Sequence, residues 1–77
     1  MTDGWTRVDI RHLDPLNIMD PATFQNHIDI GGKNVTKWLN DRKISWSLSY
    51  KMHPMGAEPV LLFEHEKDAA LFIMRWC

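Results

Sequence analysis

The sequence predicts a small α+β domain: an antiparallel sheet of about three strands with helices packed on one face, in the order β-α-β-β-α. Three observations predict it. Residues 5–12 and 43–51 alternate apolar and polar side chains with the period of two that a half-buried strand requires. Residues 59–64 are apolar on both sides, as a strand covered on two faces would be. Between and after these stretches, apolar residues recur at the three-to-four spacing of a helix. The order is that of a ferredoxin-like fold truncated before its fourth strand, so the sheet is expected to keep an open edge.

Seventy-seven residues make one domain, spanning 1–77. At ~0.05–0.15 kcal/mol per residue, its stability should be roughly 4–11 kcal/mol. Cys77 is the only cysteine, so neither an internal disulfide nor a thiolate zinc cluster can reinforce the fold. The core must do so, and four Trp, three Phe and five Met supply the apolar volume. A lone thiol fits a reducing cytoplasm better than a secreted scaffold. The opening "MTDGWTRVDIRHLD" is charged throughout and has no apolar h-region, so no signal peptide is expected. No run approaches the ~18–20 apolar residues that span a bilayer. The net charge of −1 argues against a dedicated duplex-DNA binder, whose affinity rests on a basic face.

In the first strand, "WTRVDIRH", Val8 and Ile10 fall on one side while Trp5, Arg7, Asp9 and Arg11 fall on the other. The Arg/Asp/Arg row reads as a solvated face with cross-strand ion pairs, and alternatively as a polar binding strip. "LDPLNIMDP" is rich in turn formers and reads as a loop. Asp20-Pro21 then makes a helix start, an N-cap acid followed by proline at the first helical position. Phe24, Ile28, Val35, Trp38 and Leu39 keep helical spacing from there, interrupted by Gly31-Gly32. Two helical pieces, about 21–29 and 33–42, are expected with the glycines as a hinge. A single kinked helix is the alternative, less favourable by ~2 kcal/mol for its two glycines.

"KISWSLSYK", residues 43–51, is the cleanest strand: Ile44, Trp46, Leu48 and Tyr50 face the core, and Ser45, Ser47, Ser49 and Lys51 face away. "MHPMGAEP" follows as a turn-rich connection, read as too long for a two-residue hairpin, with Met52 and Met55 on it. After the strand "PVLLFE", a helix begins near Glu66 with acids in its first turn, where the helix dipole favours them. Ala69, Phe72, Ile73 and Trp76 form its expected inner stripe. Leu71, Met74 and Arg75 point elsewhere.

No constellation of a known chemistry emerges. "GGK" lacks the remainder of a P-loop, since Lys33 is followed by Asn34 and no strand is expected before it. His12, His27, His53 and His65 include no pair at the i, i+3 or i+4 spacing that would aim two imidazoles at one metal. His65 with Glu64, Glu66 and Asp68 comes nearest, but acids crowd a helix start for dipole reasons alone. Ser45, Ser47 and Ser49 lack a nucleophile elbow. Cys77 stands at the chain end, away from any evident activating base. The expectation is therefore a protein that is no enzyme and that uses no cofactor or metal.

The closing tract "LLFEHEKDAALFIMRW" resembles the ending of many short, mostly uncharacterised proteins encoded in tailed-phage genomes. The matching residues are Phe63, Glu64, Asp68, Ala69, Phe72, Arg75 and Trp76, within a tract of about a fifth of the chain. The resemblance implies a viral accessory protein of the host cytoplasm, and it assigns no catalytic residue.

Three functions from different classes follow as expectations. The first is a small module that binds a host or viral protein and modulates it, through Leu71, Met74 and Arg75 on the outer side of the last helix, with Trp5 and Met55. The second is a single-stranded nucleic-acid binder using Trp5, Arg7 and Arg11 beside the serine face, where charge and an aromatic platform combine. The third is a self-assembling protein, a homodimer through an open sheet edge or the last helix. No membrane partner is expected.

Overall fold

The computed structural model describes residues 3–19, 21–22 and 26–77. The α+β class holds, with a second sheet that sequence periodicity did not predict. The first sheet joins β1 (Thr6–Asp9), β5 (Trp46–His53) and β6 (Gly56–Phe63), all antiparallel, with β6 in the middle. Its central place follows from its composition, because only β6 carries apolar residues on both faces. In the register, Val8 and Leu48 flank Leu61, and Thr6 and Trp46 flank Phe63. That face turns inward. On the outer face Arg7 and Ser47 flank Leu62, and Asp9 and Ser49 flank Val60. The strand expected over residues 5–12 is shorter, because Arg11–Leu13 winds into a 3-10 turn ending at Asp14.

The β5–β6 connection corrects an expectation. His53 pairs with Gly56, so Pro54-Met55 alone make the turn, and the hairpin is a two-residue one. Proline fixes its own φ at the turn, and Gly56 at φ 135° takes a conformation that side-chain-bearing residues rarely adopt. The strands therefore run closer to the tip than the turn-rich composition suggested.

The second sheet stands where the first helical piece was expected, and it replaces the ferredoxin-like order. It comprises β2 (Leu16–Met19), β3 (Asn26–Ile30) and β4 (Lys33–Asn34), in that spatial order and antiparallel. In β3, Ile28 and Ile30 are buried while His27 and Asp29 are half-buried, a period of two built on β-branched residues. Gly31 and Gly32 have φ of 60° and 80°, so both central residues are left-handed and Ile30 pairs with Lys33 across them. This is the two-residue hairpin geometry that a Gly-Gly pair favours, not a hinge between helices. "LNIM", read as loop, is β2. Pro21 lies in a turn, and the expected cap Asp20 and core residue Phe24 are outside the described residues.

Helix α1 (Val35–Asp41) starts where its cap allows: Asn34 Oδ1 accepts the Lys37 N–H at 2.9 Å. Thr36 Oγ1 accepts the Ile28 N–H at 2.9 Å, tying the helix to β3. Helix α2 (Glu66–Trp76) begins as expected, with Glu66 and Asp68 in its first turn. Ala69 and Phe72 are buried and Trp76 half-buried, but Ile73 is 47 % exposed and does not belong to the inner stripe. At 100° per residue, Ile73 lies about 40° to one side of Ala69 while Phe72 and Trp76 lie to the other, so it sits on the flank of the buried stripe, half in solvent.

The core joins both sheets to both helices through Val8, Ile10, Ile28, Leu39, Phe63 and Phe72. α2 packs on β1 and β6, and α1 on β3. The helices meet through Trp38, edge-on to Phe72 at 6.3 Å and to Trp76 at 5.9 Å between ring centroids.

Candidate functional site

The outer side of α2 is the most developed surface. Phe72 is held against Phe63 at 5.4 Å, and Trp38 bears on Trp76, so the helix is fixed along its buried side. A rigid helix then presents Leu71 at 41 % exposure, Ile73 at 47 % and Met74 at 84 %. The Arg75 guanidinium lies over the Trp76 ring at 4.4 Å, a cation–π contact that rests a charge at the edge of this apolar strip. Leu71, Met74 and Arg75 fall on one side of α2, as expected, while Ile73, two positions from Leu71 and from Arg75, is half-exposed on the other flank of the helix.

Trp5 and Met55 do not belong to this patch. Trp5 immediately precedes β1 and alternates with Arg7 and Asp9, which places it on the outer face of the sheet, opposite α2. Met55, 90 % exposed, sits at the β5–β6 tip. From there the chain must run the full length of β6 before α2 begins, roughly 25 Å at about 3.3 Å per residue.

Trp5, Arg7 and Arg11 lie with Ser47 and Ser49 on that outer face, but their charge is already matched. Arg7 Nε is 3.7 Å from Asp9 Oδ1, and Arg11 Nη1 is 3.2 Å from Glu58 Oε2. Glu58 is also 3.9 Å from His53 Nε2. The face is a charge-balanced strip, with Lys51 beyond it, rather than a run of free cations.

Three further groups bear on chemistry. His27 Nε2 lies 3.1 Å from Asp29 Oδ1, an oxygen that is out of water and forms no hydrogen bond with the described residues. His65 Nε2 lies 3.0 Å from Glu64 Oε1 at the start of α2. Partial burial pushes the Cys77 thiol above its ordinary pKa, which lowers its thiolate fraction and its nucleophilicity at neutral pH. Among the described residues no three His, Cys, Asp or Glu side chains gather as a metal would need. Among those residues, too, no helix is long and apolar enough to cross a membrane.

One feature went unread in the sequence: a cleft of about 180 Å³ between the inner faces of the two sheets. Ile10 and Ile28 line it with Leu48, Tyr50 and Pro59, and β2 contributes its lip. Comparison of the chain with protein-family models, with curated proteins and with solved structures gives no match.

Proposed function

We propose that the chain is a small, non-enzymatic interaction protein, of the tailed-phage accessory type that its closing tract resembles, which docks on a host or viral protein in the host cytoplasm and modulates it. One observation carries this reading: α2 exposes Leu71 and Met74, one turn apart and next to Arg75, on the side of the helix opposite the one locked into the core. An apolar strip on a rigid helix is what a helix-in-groove contact requires. Met74, the more exposed of the two apolar side chains, adds polarizable, adaptable contact area. Leu71→Asp/Met74→Asp tests it, since both positions are exposed and the variant should fold. The wild-type chain should retain a protein from bacterial lysate that the folded double variant does not. Retention of the same protein by both would refute the assignment.

The meeting of Trp5, Arg7, Arg11, Ser47 and Ser49 on one sheet face favours single-stranded nucleic acid as a second reading. Its acids weigh against it, because Asp9 and Glu58 already hold the two arginines. A fluorescence-anisotropy titration with oligonucleotides at low salt decides the matter, where phosphate contacts are strongest. Absence of binding there removes this reading.

A further inference from the structure

Among the described residues four strand edges are free: β1 and β5 in one sheet, β2 and β4 in the other. A free edge invites another chain to pair with it unless charge or brevity guards it. β1 carries Arg7 and Asp9, β5 carries Lys51, and β4 is two residues long with Lys33. β2 has no such guard. Its residues Leu16, Asn17, Ile18 and Met19 are uncharged and all exposed, Leu16 at 61 %.

The cleft opens beside this edge, with Pro15, Leu16 and Asn17 as its lip. Its volume of about 180 Å³ compares with the ~150 Å³ apolar cavity that admits a benzene ring. It falls short of the ~300 Å³ at which small-molecule sites begin. It therefore suits one large apolar side chain, and no charged residue lines it. Asn17 pairs with Ile28, so both face inward, and a strand laid on the free edge would send the residue opposite Asn17 into the cleft.

Charge selects the occupant. Asp14, just beyond the lip, is exposed in a left-handed conformation at φ 52°. Its carboxylate forms no ion pair with the described residues, while neighbouring Arg11 is held by Glu58. A guest antiparallel to β2 that carries a cation after its anchor meets this carboxylate. A second copy of β2 does not, because Asp20 follows its apolar residues.

We propose that the β2 edge and the cleft receive an extended segment of a protein partner by strand addition, antiparallel to β2. One large apolar side chain sits opposite Asn17 in the cleft, and a Lys or Arg two or three positions later meets Asp14. Main-chain hydrogen bonds supply affinity and the cleft supplies specificity. This surface is separate from the α2 strip.

The test titrates the full chain with a labelled peptide, Thr-Val-Phe-Thr-Thr-Lys-Thr, by fluorescence anisotropy. Saturable binding is expected, weakened at least about tenfold by Phe→Ala in the peptide, which empties the cleft. N-methylation of alternate peptide amides, which removes the ladder donors, should weaken it similarly. A Lys→Glu peptide should bind less well than its parent to the wild-type chain and equally well to Asp14→Asn. Tyr50→Ala, at a half-exposed wall position, should weaken the parent peptide. Leu71→Asp/Met74→Asp should leave it unchanged, so that failure here is separable from failure of the α2 docking reading. Absence of saturable binding overturns the proposal, as does equal binding of the N-methylated or Ala peptide. So does a dimer in light scattering that the peptide cannot dissociate, since a second copy would then own the edge.

Discussion

Phe72 is the residue on which the fold turns. It is fully buried, and its ring touches those of Phe63, Trp38 and Trp76, so it joins β6 to both helices. Phe72→Ala should cost about 3–5 kcal/mol, a large share of the roughly 4–11 kcal/mol expected for the whole chain. A urea titration should find the variant's unfolding free energy lowered by that amount relative to wild type. Trp76 offers the contrast. Its Nε1 is out of water without a hydrogen-bond partner, so Trp76→Phe removes an unsatisfied donor while keeping a ring in place. That variant should lie within ~1 kcal/mol of wild type, well short of the effect at Phe72. Cys77 is predicted to alkylate with iodoacetamide more slowly than a small free thiol at pH 8. Its raised pKa leaves it more protonated there, and the rate should climb as the pH rises further.

Among the elements, the β3–β4 hairpin is the most exacting. A Cβ at Gly32 would meet no atom within 4 Å, so Gly32→Ala tests the backbone alone. At φ 80° the substitution should destabilise the chain by ~1–2 kcal/mol, read from thermal or urea unfolding. Asn34→Ala should lose ~1 kcal/mol through the α1 cap. The three strands of the first sheet, the second half of the expected helical region and the last helix were legible, because each carries one periodicity over enough residues to stand out. The second sheet was not. Phe24 and Ile28 have a helical i, i+4 spacing, while Ile28 and Ile30 alternate as in a strand, and a five-residue strand offers little to separate the two. Gly31-Gly32 carried the deciding signal, since a pair of glycines between short apolar runs builds a hairpin turn.

For the whole molecule, the candidate site was legible only in part. Exposure of Leu71 and Met74 follows from the phase of α2, which a sequence states directly. Which residues share a surface depends on topology, which it does not. Trp5 and Met55 therefore separated from the α2 strip, and the cleft between the sheets could not be foreseen without β2 and β3. Substituting exposed Leu71 and Met74 by Asp should change stability by ~0.5 kcal/mol or so per site, so loss of binding in that variant reports the surface rather than the fold. The most direct measurement places a photo-crosslinking amino acid at position 74, on the strip, and separately at position 47, on the outer face of the first sheet. Both chains are then irradiated in bacterial lysate. A single cross-linked protein at position 74, absent at 47 and abolished by Leu71→Asp, is the predicted result. Equal labelling at both positions, or cross-links at 74 that survive Leu71→Asp, would contradict the assignment of α2 as the docking surface.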